Sequence, residues 1–159
     1  MKPLPRPPFG RLSACILIAV SWPLHLVISA LIWLQDRGPA LYRARRLGCS
    51  GEPFLMLKYR TMRVGGGPII SQGYKTVVYQ NDPRVTFIGR VLRVGIDELP
   101  QLVNIARGEM NWVGPRPDDD WAFPLYGNTL RQRLRVPPGI TGLSWLPLAA
   151  PWPTGGQDR

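Results

Sequence analysis

A chain of 159 residues holds about one domain's worth of core. Its formal net charge of +10 calls for an anionic partner: nucleic acid, an anionic membrane surface or a phosphorylated substrate. The cations are scattered with no long like-charge run, which argues against a nucleic-acid-binding arm. Two cysteines, Cys15 and Cys49, exclude a disulfide framework and are expected to be unpaired thiols.

Residues 1–11 form a basic flank with Lys2, Arg6 and Arg11, followed by an apolar segment over 12–34 that contains no Asp, Glu, Lys or Arg. That length suffices to cross a bilayer as a helix. Basic residues also follow it (Arg37, Arg43, Arg45, Arg46), so both flanks carry the signal that retains a segment end in the cytoplasm. Pro23, near the middle, removes one backbone donor, and Ser21 is close enough to satisfy a freed carbonyl. The expectation is a re-entrant membrane helix with its bend at Ser21 and Pro23; a straight span is the alternative. His25 reads as a polar group near that bend. A cleaved signal is disfavoured because no small-x-small site closes the segment.

Gly38-Pro39 ends the segment in a turn, and residues 35–146 read as a catalytic region. Leu41 to Leu57, interrupted by Gly48, Gly51 and Pro53, fits a short β-hairpin. Lys58 and Arg60 would share a face in an extended strand. Gly65-Gly66-Gly67-Pro68 breaks the chain, and residues 69–80 show no regular strand pattern. Val85 to Leu92 reads as a helix or an extended approach. A helix is expected from Asp97 or Glu98 to Arg107, stopped by Gly108 and burying Leu99, Leu102, Val103 and Ile105. Gly114-Pro115-Arg116-Pro117 excludes a helix, Pro124 to Arg135 allows another short one, and residues 147–159 form an irregular tail. The fold class is therefore α+β, helix-dominated.

Asp97-Glu98 is the leading candidate for chemistry. Neighbours on a helix point about 100° apart, so the two carboxylates would divide the work: one attacks, the other holds a metal or a water. A phosphate can approach them only if a cation neutralises it, and Arg93, Arg116, Lys58 and Arg60 could do so. On spacing alone the ordinary explanation is a helix cap, with Asp97 as N-cap and Glu98 opposing the helix dipole.

A longer pattern weighs against the cap. Ile96-Asp97-Glu98-Leu99-Pro100-Gln101-Leu102-Val103-Asn104, Gly108-Glu109-Met110, Val113-Gly114-Pro115-Arg116-Pro117 and Pro138-Gly139-Ile140-Thr141-Gly142 follow one another in order. Upstream stand Arg46-Leu47-Gly48, Pro53-Phe54, Lys58-Tyr59-Arg60-Thr61-Met62 and Asp82-Pro83-Arg84. Together they resemble the bacterial sugar transferase family, the monotopic polyprenyl-phosphate phosphoglycosyl transferases.

The resemblance implies an enzyme of the cytoplasmic face of the bacterial inner membrane. It would take a sugar phosphate from a UDP-sugar through a covalent Asp97 intermediate and pass it to a polyprenyl (undecaprenyl) phosphate. That step initiates exopolysaccharide, capsule or O-antigen assembly. Glu98, with Asp97, would attend a Mg²⁺; Arg116, Arg93, Lys58 and Arg60 would hold substrate phosphate. Partners would be these substrates and membrane lipid, with no nucleic acid; a homodimer is left open. The family usually continues beyond the Gly-Ile-Thr-Gly motif with helices that lie on the membrane, whereas Pro147 to Arg159 matches no such element. A truncated, catalytically inactive relative is the second expectation, and a basic helix-turn-helix protein a remote third.

Overall fold

The computed structural model describes residues 9–65, 70–71, 74–75 and 82–142. Lys2 and Arg6, Gly66 to Pro68, the end of the catalytic region and the 147–159 tail lie outside the described residues.

The apolar segment becomes α1 (Phe9–Asp36), a 28-residue helix that contains Pro23 without interruption of its helical assignment. The Ser21 hydroxyl donates to the Leu17 carbonyl at 2.5 Å. It does not reach Ala19, whose carbonyl Pro23 would have served four residues on, so the expected rescue by Ser21 falls two residues earlier. Only one narrow stripe of α1 is covered. Ala14 packs with Leu102, Ile105, Met110, Ala44 and Met56. Further along, Ile28 and Ile32 pack with Tyr59 and Leu92. Leu12, Ile16, Val20, Trp22, Leu24, Leu26, Val27 and Leu34 remain exposed.

The ends of α1 are tied to the rest of the chain by polar contacts. Trp112 Nε1 donates to Ser13 Oγ at 2.9 Å and to the Gly10 carbonyl at 3.2 Å. At mid-helix His25 Nδ1 is hydrogen-bonded to the Tyr59 hydroxyl. At the far end Asp36 forms an ion pair with Arg60, whose side chain is 9 % exposed.

The expected hairpin is present and longer than predicted. Strands β1 (Leu41–Leu47) and β2 (Pro53–Tyr59) pair antiparallel from Leu41↔Tyr59 to Leu47↔Pro53, so Lys58 lies within β2 opposite Tyr42. Their connection is a 3₁₀ turn at Cys49–Gly51. Two very short strands, β3 (Ile70–Ser71) and β4 (Tyr74–Lys75), pair antiparallel in a stretch whose sequence pattern predicted no strand. The 85–92 stretch is a helix, α2 (Phe87–Leu92), because Thr86 caps it: its hydroxyl accepts the Gly89 N–H at 2.9 Å.

The helix expected from Asp97 or Glu98 is divided. Ile96–Glu98 form a 3₁₀ turn entered through Gly95 in the left-handed region (φ 113°), and α3 proper is Gln101–Arg107. Pro100 is the cause: it has no N–H to continue the ladder, so the flanking bonds are short-range, Leu99 N to Ile96 O and Val103 N to Pro100 O. Gly108 ends α3 with φ 79°, as expected of a left-handed stop. The strands β5 (Asn111–Val113) and β6 (Gly139–Thr141) then pair in parallel, Asn111 with Gly139 and Val113 with Thr141. Between them, the helix expected over Pro124 to Arg135 is three pieces. A 3₁₀ segment (Asp120–Leu125) precedes α4 (Asn128–Arg131), and a second 3₁₀ turn (Gln132–Arg135) follows it, with the break at Tyr126 and Gly127. Tyr126 and Leu134 close a small core on Leu47. Both cysteines are free thiols, Cys15 exposed and Cys49 buried.

Candidate active site

The site is built where the 3₁₀ turn of Asp97 and Glu98 meets the end of β2 and the loop that carries Arg116. Two cross-links set the spacing of those pieces. The first is Asn104, fully buried on α3. Its Oδ1 accepts the Leu57 N–H at 3.0 Å, and its Nδ2 donates to the Leu55 carbonyl at 2.8 Å. Alternate residues of a strand present their backbone groups to the same edge, so one amide side chain stands where a further strand would pair with β2. The remaining Nδ2 proton goes to Glu109 Oε2 at 2.7 Å.

The second cross-link is Gly139. A Cβ there would lie 2.6 Å from Val113 C and from Thr141 O, and closer still to Gly114 N. The bare backbone lets Gly139 N donate to the Pro115 carbonyl at 3.0 Å while Gly114 N donates to the Thr141 carbonyl at 2.9 Å. Arg116 therefore leaves from a loop strung along β6. Its own carbonyl accepts from Arg133 Nη2 at 2.9 Å.

Within this frame Lys58 Nζ donates to Glu98 Oε1 at 2.8 Å. Arg116 Nη2 stands 3.9 Å from the same oxygen. These side chains line a cleft together with Arg46, Met56, Gln101, Pro117 and Gly139. Asp97 caps neither the 3₁₀ turn nor α3: the position before the turn is Gly95, the position before α3 is Pro100, and neither terminus has a side-chain cap. The ordinary explanation for Asp97 thus has no geometric support.

Burial raises the Asp97 carboxyl above the usual carboxylate range. Lys58 opposes that shift, Glu98 adds to it, and Arg93 opposes it more weakly. Burial likewise lowers the Arg116 guanidinium, with Glu98 acting to restore it and Arg46 acting against it. The Asp97 carboxylate beside the cleft and the two cations and second carboxylate that line it thus influence one another in a partly dehydrated space. Such an arrangement can receive a phosphate and attack it.

Of the residues singled out in the sequence, Lys58, Glu98 and Arg116 are brought together, and Asp97 is within their electrostatic reach. Arg93 ends α2, donates from Nε to Thr61 Oγ1 at 3.3 Å and acts on Asp97 through its charge. Arg60 does not share the partner of Lys58: it sits one residue past β2 and is committed to Asp36 of α1. Ser21 and Pro23 lie on α1 and line no part of the cleft. Asn104, Gln101, Glu109 and Arg46 were not singled out for the site. The available signal was two polar residues three apart, Gln101 and Asn104, on the side of α3 that also carries Leu102 and Ile105; a buried polar face implies a specific partner.

Among the described residues no group of three or more His, Cys, Asp or Glu side chains could enclose a metal. A Mg²⁺ does not need such a cage, since it keeps waters and takes substrate phosphate oxygens beside one or two carboxylates. The carboxylates at hand are Glu98, which lines the cleft with Oε1 engaged by Lys58, and its neighbour Asp97.

The family model described as "Bacterial sugar transferase" matches residues 6–148. The exopolysaccharide production protein ExoY of Rhizobium meliloti (strain 1021) is 42% identical over 147 residues, 85% of this chain and 65% of that protein. The UDP-glucose:undecaprenyl-phosphate glucose-1-phosphate transferase of Caulobacter vibrioides is 42% identical over 139 residues, 83% of this chain and 49% of that protein. The protein of the same name in Escherichia coli (strain K12) is 36% identical over 137 residues, 82% of this chain and 28% of that protein. The chain thus spans from under a third to just under two thirds of the length of these relatives. With residues 6–148 under the family model, the chain belongs to the bacterial sugar transferase family.

Proposed function

We propose that this chain is a polyprenyl-phosphate phosphoglycosyl transferase that uses a UDP-sugar as donor and works at the cytoplasmic face of the bacterial inner membrane. The observation that carries the reading is the uncapped, half-buried Asp97 beside a cleft lined by Lys58, Glu98 and Arg116. The printed names of the relatives, which pair UDP-glucose with undecaprenyl phosphate, support the substrate classes.

In the first half-reaction an Asp97 carboxylate oxygen forms a bond to the β-phosphorus of the donor. The bond from that phosphorus to the bridging oxygen breaks, and its electron pair leaves on the nucleoside monophosphate. In the second, an oxygen of the polyprenyl phosphate attacks the same phosphorus, and Asp97 departs as a free carboxylate. Atoms and charge balance without a separate proton donor, because both leaving groups are stable anions. Lys58 and Arg93 oppose the effect of burial on Asp97, and Arg116 faces the incoming phosphate charge. Asp97 and Glu98 would hold Mg²⁺, which supplies charge neutralisation on the diphosphate when bound.

The exposed apolar surface of α1 supports the membrane assignment. Burying an aliphatic side chain is worth about 1.5–3 kcal/mol, and Leu12, Ile16, Val20, Leu24 and Leu26 forgo it in water. Whether α1 returns to the cytoplasm at Pro23 or crosses is proposed here in favour of return, on the basic residues at both flanks. The reading is tested by nucleoside monophosphate release from UDP-sugars by the detergent-purified chain with Mg²⁺ and polyprenyl phosphate. Release that vanishes in Asp97→Asn supports it; no release from any sugar by a folded chain overturns it.

A further inference from the structure

Arg46 is the third cation of the cleft, and the function proposed above gives it no task. It lies on β1 opposite Phe54. Its neighbour Arg45 pairs with Asp120 at 2.7 Å, while Arg46 Nη1 pairs with Asp119 at 2.9 Å. That second pair tethers β1 to the loop beyond Arg116, beside the Leu47 N–H bond to the Asp118 carbonyl at 2.8 Å. A tether alone would need only one edge of the guanidinium. The Nε edge of Arg46 is buried and has no hydrogen-bond partner among the described residues. Native structures seldom leave a buried donor unpaired without a reason.

The charge of the cleft supplies a reason. Its lining includes Arg46, Lys58 and Arg116 but only one carboxylate, Glu98, which is already in contact with Lys58. Arg46 and Arg116 act on each other as like charges in a partly dehydrated space, with Asp119 paired to Arg46 and Glu98, Asp118 and Asp97 acting to restore Arg116; an entering anion would lessen that repulsion further. Guanidinium groups suit that anion well, since their planar fork matches the oxygens of a phosphate.

We infer that Arg46 and Arg116 form a seat for the phosphate that leaves with the nucleoside, so that the donor diphosphate lies along the cleft from Asp97 to Arg46. The inference rests on the nucleotide-sugar reading and adds a direction to it. Asp97 adjoins Glu98, whose carboxylate is met by Lys58 at 2.8 Å and by Arg116 at 3.9 Å. Arg46 lines the same cleft as Arg116 but pairs with Asp119, not with Glu98. The attacked phosphate belongs at the Asp97 end, which leaves the other phosphate to the arginine pair.

The test compares binding of uridine monophosphate and uridine to the detergent-solubilised full chain by titration calorimetry. In the unaltered chain uridine monophosphate binds more tightly than uridine. In Arg46→Ala that preference falls by about tenfold or more, the usual scale for a lost charge-assisted hydrogen bond. Arg46→Lys keeps a charge near Asp119 but cannot reproduce the Nε donor, and it loses preference several-fold. Asp119→Asn breaks the tether yet leaves the guanidinium, and it retains the preference. An unchanged preference in Arg46→Ala or Arg46→Lys overturns the inference, as does an Asp119→Asn chain that loses as much as Arg46→Ala. If the unaltered chain binds neither ligand, the nucleotide-donor reading itself fails, and this inference with it.

Discussion

Asn104 accepts the backbone N–H of Leu57 at 3.0 Å, so a single side chain on α3 fixes how far β2 stands from the turn that bears Asp97 and Glu98. Lys58 follows Leu57 in sequence, and its reach to Glu98 depends on that one bond and its companion to Leu55.

Replacing Asn104 by Ala is therefore expected to damage the fold and the site together. The change leaves the buried Leu57 N–H and the part-buried Leu55 carbonyl and Glu109 without this partner. A loss of about 2–4 kcal/mol is expected, readable as a lower thermal midpoint of the detergent-solubilised chain. Asn104→Asp should be nearly as harmful, since a carboxylate cannot donate to Leu55 and would face Glu109.

Asp97 carries the opposite balance between stability and work. Its folded pKa is raised by burial, so its contribution to stability is fully present below the unfolded carboxylate pKa and is lost as pH rises through the folded value. At neutral pH Asp97→Asn is expected to leave the fold as stable as before or more so. Nucleoside monophosphate release should fall by about a thousandfold or more, as for loss of a covalent nucleophile. A thermal melt and a turnover assay on the same preparation check both halves.

The same residue sets the acid limb of the rate profile. Asp97 attacks as the carboxylate, so the rate should fall on acidification at a pH above the ordinary carboxylate range. Lys58→Met removes the strongest opposing charge and should move that limb further towards neutrality. A limb that stays put in Lys58→Met would show that Lys58 does not act on Asp97 in solution.

Gly139→Ala tests the frame behind Arg116. The added methyl meets backbone, Val113 C and Thr141 O at 2.6 Å, and backbone cannot step aside as a flexible side chain would. Parallel pairing of β5 and β6 should weaken, with a cost of about 1–3 kcal/mol. The Michaelis constant for the donor should rise more than that for the lipid acceptor if Arg116 is displaced.

Extraction checks the role of α1. With Trp22, Leu24, Leu26 and Val27 exposed, the chain should stay in the membrane fraction after a carbonate wash and leave it only in detergent. Recovery in the soluble fraction would remove the membrane reading.

Much of this was legible from the residues in order. The long apolar run, the hairpin before Lys58 and the stop at Gly108 follow from local rules, and the structure has all three. The division of the Asp97 helix was legible in principle, since Pro100 cannot extend an α-helical ladder, but the apolar periodicity and the stop at Gly108 read as one helix. The partner of Arg60 was not legible. Strand alternation places Arg60 with Lys58, but β2 stops at Tyr59, and Asp36 reaches Arg60 from 24 positions upstream. Asn104 was hidden for a similar reason: its partners are 47 and 49 positions away, and only the fold brings that strand edge to α3.

The contact between Lys58 and Glu98 gives the cleft the character of an ion exchanger. On the function proposed above, the Glu98 carboxylate holds the contact with Lys58 that a substrate oxygen would take, and because it belongs to the chain its local concentration never falls. A monovalent anion such as chloride or acetate offers no advantage over it and should inhibit poorly. A diphosphate, which brings several charges and can engage Arg116 while displacing Glu98, wins the exchange. On that function, discrimination against the abundant small anions of the cell is an expected consequence of this resident ion pair.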